Sequence, residues 1–182
     1  MFGRYPAAAR SNPTVEWPGR VGARSLGGVT ATDAPTMHLR ADVVVVGGGP
    51  AGTAAAIELR RAGRSVVVLD KAVFPRDKCC GDGLTTLALR ELEHLGLDPG
   101  VIDDWADVDG AVIRSPSGRQ VTVPLPSTGR YAAVAPRLQL DDALLGVARR
   151  LGADVRDGHG VRDVTRLDDR VVVDADDDLR VE

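Results

Sequence analysis

The stretch from Asp42 to Asp70 constrains the fold of this chain more than any other part. Its sequence is DVVVVGGGPAGTAAAIELRRAGRSVVVLD. The valines from Val43 to Val46 form a β-branched run, a pattern typical of a strand buried on both faces of a parallel sheet. A glycine-rich turn, an alanine-rich helix over residues 51–61 and a second valine-rich strand follow. This order predicts a βαβ unit, and hence the α/β fold class.

The turn after the first strand carries the pattern G-x-G-x-x-G at Gly47, Gly49 and Gly52. The first glycine allows a tight turn, the second lets the backbone approach a pyrophosphate, and the third lets helix and strand pack closely. The helix N-terminus offers backbone N–H groups to the same anion. The spacing therefore predicts a dinucleotide site.

The second strand ends on an acid, Asp70. A carboxylate at this place can accept hydrogen bonds from a ribose 2′-hydroxyl and would repel a 2′-phosphate. We therefore expect a cofactor with an unphosphorylated adenosine. The simpler alternative is a glycine-rich turn in an ordinary βαβ unit, in which three glycines and an acid share this order by accident.

Composition limits the classes of function. The 182 residues, 43% of them hydrophobic, suffice for one domain with a core, and the net charge of −3 argues against nucleic acid as a partner. No apolar run approaches the roughly 20 residues of a membrane span, and no signal peptide opens the chain, so we expect a cytoplasmic protein. The two cysteines are adjacent and lack zinc-site spacing, so we expect reduced thiols and no metal, with a vicinal disulfide as the alternative.

The chain is expected to divide near Met37. Residues 1–36 are dense in Pro, Gly, Arg, Ser and Thr and predict a disordered N-terminal extension. Met37 stands just before the first strand, and we expect it to be the native start. Residues 37–182 would then form a cofactor-binding domain.

The loop after Asp70 has the sequence KAVFPRDKCCGDGL. Because it leaves a strand end of the parallel sheet, it should lie beside the pyrophosphate, where Arg76 could neutralise phosphate charge. Solvated loop cations are the alternative, and for Lys78 that alternative stays open. A second flexible run, Gly81-Asp82-Gly83, ends the loop.

The strings DVVVVGGGPAG and FPRDKCCGDGL, with the acid between them, resemble the geranylgeranyl reductase family of FAD-dependent oxidoreductases. Within it they are most similar to bacterial menaquinone reductases, which saturate an isoprenoid double bond in the quinone tail. The family shares the p-hydroxybenzoate hydroxylase-like FAD fold with aromatic monooxygenases and flavin halogenases. The resemblance implies a Rossmann-like FAD-binding domain with the start of a β-rich substrate domain.

Residue roles follow from this resemblance. The turn would bind the FAD pyrophosphate, Asp70 the adenosine ribose, and the run from Cys80 to Gly83 would lie on the flavin side. Cys80 is the catalytic candidate, with a small buried residue as the alternative. Arg137 would contact FAD, and Val161 would hold the adenine through its backbone. The implied cofactor-binding residues are Gly47, Gly48, Gly49, Pro50, Ala51, Gly52, Asp70, Lys71, Arg76, Cys80, Gly81, Asp82, Gly83, Arg137 and Val161.

Arg137 belongs to VAPRLQLDDALL, which is similar to the family's P-R-x-x-L-D-x-x-L segment. A cation at a helix N-terminus is unfavourable, and a nearby anionic cofactor would remove the conflict. Asp141 and Asp142 in the first turn fit the helix dipole without a further function. A third parallel strand over 152–155 and a hairpin over 164–173 should follow.

Between the two cofactor segments we predict a helix over Thr85–Leu95 and a β-hairpin over 108–123. Residues 106–132 would form an excursion towards the substrate domain. The chain departs from the family's G-L-T-P-R-A by having GLTTLA, which weakens any inference about substrate. The family's G-D motif is not found, and we expect the last strand, LRVE, to lack a partner and the chain to be an N-terminal part.

The resemblance implies that an external donor, whose identity the sequence does not indicate, reduces FAD. The flavin would then deliver hydride to an isoprenoid C=C of a prenylated quinone or lipid. Contact with a membrane would be peripheral. The alternatives are a monooxygenase or halogenase of the same fold, and a non-catalytic nucleotide-binding remnant. Activity of the 182-residue chain by itself stays an open question.

Overall fold

The computed structural model describes residues 37–126 and 128–182. The predicted disordered extension, residues 1–36, lies outside the described residues. The helices are α1 (Pro50–Arg61), α2 (Thr86–Leu95) and α3 (Arg137–Arg150), with a 3-10 turn at Pro99–Val101. The strands are β1 (Met37–Leu39), β2 (Val43–Val46), β3 (Val66–Asp70), β4 (Gly83–Thr85), β5 (Ala106–Asp107), β6 (Gly110–Arg114), β7 (Gln120–Pro124), β8 (Ala132–Val134), β9 (Asp154–Asp157), β10 (Val161–Arg166), β11 (Val171–Ala175) and β12 (Leu179–Val181).

A parallel sheet with the order β2-β3-β9 organises the fold. It confirms the predicted βαβ unit and the third parallel strand. β3 is central, and its residues Val66–Leu69 are buried. The expectation that Val43–Val46 would be buried on both faces is wrong. Within the described residues β2 is an edge strand, and Val46 at its end is 60% exposed.

Alternate side chains of β3 enter two hydrophobic clusters, as the two-residue period of a strand requires. Val66 and Val68 pack with Ile57 of α1 and with Leu144 and Leu145 of α3. The last three side chains are fully buried, and each contributes about 1.5–3 kcal/mol by leaving water. This cluster packs α1 and α3 against the same sheet.

The other cluster joins β3 to a four-stranded sheet with the order β1-β12-β11-β10. Val67 and Leu69 pack there with Val173, Leu179 and Val181. The predicted hairpin in this region is confirmed as β10 and β11. The expectation of an unpaired last strand is wrong, because β12 pairs with β1 on one side and β11 on the other.

A small antiparallel sheet with the order β4-β8-β5 supports helix α2. The Thr85 hydroxyl caps α2 by accepting a hydrogen bond from the Ala88 N–H, at 3.4 Å. Gly96 ends the helix with a φ of +82°, a left-handed conformation that favours glycine. The predicted helix is confirmed. Since β8 immediately precedes α3, the pairing of β4 with β8 brings the loop before β4 close to the start of α3.

The predicted β-hairpin is confirmed as β6 and β7, which pair from Gly110 with Pro124 to Arg114 with Gln120. The hairpin forms a two-stranded sheet of its own within the described residues. Its larger apolar side chains, such as Ile113 at 63% exposure, stand largely in solvent. That residues 106–132 extend towards a substrate domain stays a prediction.

Candidate functional site

The glycine turn has the close backbone packing that its spacing predicts. Gly47 has a φ of +103°, a conformation that side chains disfavour. A Cβ added to Gly52 would overlap the carbonyl oxygen of Gly47 and lie 3.2 Å from the Cγ1 of Val45. Helix α1 begins at Pro50, which has no N–H. The N–H groups of the next two residues lie in the first turn, where they have no partner within the helix, and they are directed out of the helix end. This end of α1 can receive an anion.

Asp70 ties the end of β3 to the glycine turn. One carboxylate oxygen, Oδ2, accepts a hydrogen bond from the Gly48 N–H at 2.6 Å, and Oδ1 accepts one from the Ala72 N–H at 2.8 Å. Each oxygen keeps a further lone pair for another donor. The acid thus fixes the turn and still has capacity to accept from a ribose hydroxyl.

An open cavity of about 300 Å³ lies at the carboxyl ends of β2 and β3. Ligands of open α/β sheets bind at such strand ends. Four sequence-predicted residues from different segments come together in its wall. The lining includes Gly47, Asp70, Lys71 and Val161, together with Val46, Leu69, His159 and Gly160.

Two arginines share one buried carboxylate beside the turn. Arg137 donates from Nε to Oδ1 of Asp141 and from Nη2 to Oδ2, both at 2.7 Å. The Nη1 of Arg76 lies 3.1 Å from Oδ2 of the same carboxylate, as an ion pair without hydrogen-bond alignment. The carboxylate is fully buried, and the arginine side chains are only 19% and 17% exposed. Its hydrogen bond raises the pKa of the Arg137 guanidinium, which therefore stays charged.

Both guanidinium groups reach Gly49. The position that a Cβ would occupy at Gly49 lies 3.5 Å from Nη2 of Arg76 and 3.9 Å from Nη2 of Arg137. Any side chain there would enter the space between the turn and the arginines. The structure thus brings together Gly49, Arg76 and Arg137, which are separate in sequence and were each assigned to the same cofactor.

The loop after β3 is held by contacts that orient Arg76. Its guanidinium stacks over the Phe74 ring, 4.9 Å from the centroid. The Phe74 N–H donates to Oδ2 of Asp157 at 3.0 Å, which attaches the loop to β9. The same ring lies 3.3 Å from the Cβ position of Gly48. Arg76 is therefore a packed residue and not a solvated loop cation.

Cys80 lies at the surface, so the alternative of a small buried residue is wrong. The Ala135 N–H donates to the Asp82 carbonyl at 3.0 Å, which fastens the Cys80 loop to the segment before α3. The pKa of the Cys80 thiol is lowered, first by the backbone N–H of Asp82 and then by Arg137. Cys79 beside it is also a free, exposed thiol.

The remaining residues predicted to lie on the flavin side have different local environments. Asp82 has a φ of +51°, an uncommon conformation for a non-glycine residue. A Cβ at Gly81 would meet nothing within 4 Å, so the packing of the described chain does not require glycine there. Gly83 instead opens β4 and pairs with Val134.

Asp141 is the main residue that sequence reasoning missed. It was interpreted as a first-turn acid for the helix dipole, but α3 begins at Arg137 and has no acid in its first turn, so that expectation is wrong for Asp141 and for Asp142. The Asp141 carboxylate is instead fully buried between two cations. The available signal was its place four residues after Arg137, where side chains of a helix meet.

The fold and site define a dinucleotide-binding α/β protein. Residues 40–180 match the protein-family model described as FAD binding domain. The chain belongs to this family. The Rossmann-like FAD-binding fold and FAD as the cofactor, both expected from the sequence, are confirmed.

Named relatives include reductases and a monooxygenase. A menaquinone reductase of Mycolicibacterium smegmatis is 47% identical over 134 residues, which cover 71% of this chain and 32% of that protein. A 12-dehydrotetracycline 5-monooxygenase/anhydrotetracycline 6-monooxygenase of Streptomyces rimosus is 31% identical over 142 residues, 74% of this chain and 27% of that protein. The chain thus spans less than a third of the length of either relative.

A solved structure supports the same assignment. The crystal structure of a geranylgeranyl bacteriochlorophyll reductase-like protein from Thermoplasma acidophilum has a TM-score of 0.69 and 26% identity. It covers 80% of this chain, which spans 38% of that protein. The resemblance to the geranylgeranyl reductase family is confirmed.

The described residues fit the diphosphate of FAD. The outward N–H groups of α1 and the two arginines face the space above Gly49, which any Cβ would narrow. Charge-assisted hydrogen bonds from guanidinium groups suit phosphate oxygens, which accept in pairs. The site can thus bind a diphosphate by backbone and side-chain donors together.

Proposed function

We propose that this chain supplies the FAD diphosphate and adenosine site of a reductase that saturates isoprenoid C=C bonds. The convergence of the α1 end, Arg76 and Arg137 on one space carries the cofactor part of the proposal. The substrate part rests on the menaquinone reductase relative, which is 47% identical to this chain. A menaquinone tail or a geranylgeranyl lipid is the substrate class.

Each side chain has a distinct task in this proposal. Arg76 and Arg137 hold the diphosphate, and Asp70 accepts from the adenosine ribose at the mouth of the strand-end cavity. Val161 and Lys71 line the same cavity and would border the adenine and the ribose. Gly81 leaves open space for a flat ring.

FAD held by these residues and reduced by an external donor would supply the hydride for one carbon of the C=C, and a proton would add to the other carbon. The chain's own residues bind and orient the cofactor. Cys80 is the candidate proton-handling group, because its thiol is exposed and its pKa is lowered, first by the backbone N–H of Asp82 and then by Arg137.

Contact with a prenyl lipid in a membrane would be peripheral in this proposal. Among residues 37–126 and 128–182, no helix combines the length and the apolar character that crossing a bilayer demands. The substrate tail would have to be reached at the membrane surface. That contact and the electron donor belong to the proposal alone.

A flavin monooxygenase is the second candidate function. The Streptomyces rimosus relative, at 31% identity over 74% of this chain, favours it, although the reductase relative is more similar. Both candidates use the same cofactor site. They differ in whether the product gains hydrogen or oxygen.

The test has two stages. The 182-residue chain is titrated with FAD by calorimetry, and saturable binding is expected; no binding would show that the chain is a remnant without a working site. A longer protein that includes this chain is then incubated with reduced FAD and menaquinone. Addition of two hydrogens to the prenyl tail is expected, whereas hydroxylation without saturation would refute the reductase proposal.

A further inference from the structure

Asp141 is the one fully buried ionisable residue among those described. Both arginines of the site make close contact with its carboxylate, one through two hydrogen bonds and the other through an ion pair. A buried carboxylate is unfavourable unless cations and hydrogen bonds satisfy it. Since the interior of α3 could have held an apolar residue here, the acid needs an explanation.

The charges give two opposite expectations for its role. Two guanidinium groups and one carboxylate leave a net charge of one positive unit for a diphosphate that carries negative charge. If Asp141 only balanced charge, its removal would leave a more positive site and strengthen anion binding. If it holds the arginines in place, its removal would weaken binding because the two like charges would separate and lose their orientation.

The geometry favours the second role. The Asp141 carboxylate accepts hydrogen bonds from Nε and Nη2 of Arg137, and these two bonds fix the plane of that guanidinium. The same carboxylate forms an ion pair with Nη1 of Arg76, while Nη2 of Arg76 is directed towards Gly49. Each arginine therefore keeps N–H donors for a ligand while its contact with Asp141 fixes its position.

We propose that Asp141 is a positioning residue that orients Arg76 and Arg137 as a preformed pair for the FAD diphosphate. The inference rests on the proposed placement of the cofactor diphosphate at the glycine turn. It adds a residue that touches no part of the cofactor and acts through the two arginines.

The neighbouring acid provides a matched control. Asp142 follows Asp141 directly in the second turn of α3, but its side chain is 42% exposed and its nearest cation, Arg149, is 3.9 Å away. A substitution of Asp142 changes the same net charge and the same helix turn without touching the site.

The experiment compares Asp141→Asn with Asp142→Asn by calorimetric titration of the 182-residue chain with FAD. We expect Asp141→Asn to bind FAD at least tenfold more weakly at unchanged helix content, and Asp142→Asn to bind like the unsubstituted chain. Equal or tighter binding by Asp141→Asn would overturn the inference. Failure of the unsubstituted chain to bind would instead refute the proposed cofactor site, and the inference with it.

A second measurement reports the orientation directly. In ¹⁵N-labelled chain without FAD, the Arg137 Nε–H signal, assigned by its loss in Arg137→Lys, should exchange slowly with water. We expect Asp141→Asn to abolish that protection and Asp142→Asn to keep it. A protected Arg137 signal in Asp141→Asn would contradict a positioning role.

If Asp141→Asn does not fold, the same comparison is made in an Arg76→Gln background. That change removes the second cation, so a neutral residue at 141 leaves less uncompensated charge. Weaker FAD binding by Arg76→Gln/Asp141→Asn than by Arg76→Gln supports the inference. Equal or tighter binding refutes it.

Discussion

The α1–α3 layer and the β6–β7 hairpin are both rich in branched apolar residues, but they meet opposite environments. In the helical layer Ile57 and Leu144 are fully buried against β3. In the hairpin Val112 and Ile113 are 60% and 63% exposed. The difference lies in tertiary partners, since no other strand among the described residues pairs with the hairpin.

This contrast separates the two halves of the proposed function. The arginines and the glycine turn rest on a layer whose core lies inside the described chain. A two-stranded hairpin alone is marginally stable in water and depends on further strands or a packed helix. The proposed cofactor site can therefore be tested on this chain, whereas the proposed substrate side is to be tested on a longer protein that includes it.

The largest expected effect comes from the buried layer. Leu144→Ala should lower the free energy of unfolding by about 2–5 kcal/mol, because it removes buried carbons and leaves a cavity behind α1 and β3. Val112→Ala in the hairpin should change it by less than about 0.5 kcal/mol. Urea unfolding curves measure both. Comparable losses would show that the hairpin is covered in solution, which would remove the contrast.

A smaller effect is expected from the glycines. Gly52→Ala should lower the free energy of unfolding by about 1–3 kcal/mol, because the new methyl group meets the backbone of Gly47. Gly81→Ala should be nearly neutral for stability, since its Cβ would stand in open space.

Denaturant titration checks this pair, and FAD titration adds a separate result. Gly52→Ala should also weaken FAD binding, because a shifted turn misplaces the N–H groups of α1. If Gly52→Ala proved as stable as Gly81→Ala, the close approach of turn and helix would be contradicted.

The local sequence pattern was sufficient to predict the strands and helices, but it did not predict how deeply each one is buried. The βαβ unit followed from a valine run, three glycines and an acid, each of which acts within a few residues of the chain. Whether β2 is central or an edge strand, and whether β12 has a partner, depends on strands that are distant in sequence.

The candidate site divides in the same way. Gly49, Arg76 and Arg137 were each predictable, because glycine turns and cations near phosphates have recognisable chemistry. Asp141 was misjudged because it was placed in the first turn of the helix, where the dipole already explains an acid, whereas the helix begins four residues before it. Only its burial between two arginines distinguishes it from Asp142.

Replacing Arg137 should affect the cofactor more than the fold. Arg137→Lys keeps a charge near Asp141 but cannot make two parallel hydrogen bonds, so FAD binding should weaken about tenfold, the equivalent of about 1.4 kcal/mol. Arg149→Lys, at the exposed end of the same helix, should bind FAD normally. Calorimetric titration of both variants decides the matter, and equal affinities would remove Arg137 from the site.

The smallest expected effect concerns the exposed thiol of Cys80. Because the pKa of Cys80 is lowered, its thiolate persists to lower pH. Alkylation by iodoacetamide should therefore reach half its maximal rate at a pH below the ordinary thiol pKa of about 8.5. Mass spectrometry of the Cys79→Ser variant follows Cys80 alone.

Arg137→Gln should move that midpoint upward but not restore the ordinary value, because the N–H of Asp82, the larger cause, is retained. A midpoint in the Cys79→Ser variant at or above the ordinary value would show that the Cys80 loop is not held against α3. An unchanged midpoint in Arg137→Gln would leave the backbone N–H as the whole cause. The Cys80 loop would then resemble the β6–β7 hairpin, in that contacts with the α1–α3 layer do not determine its properties.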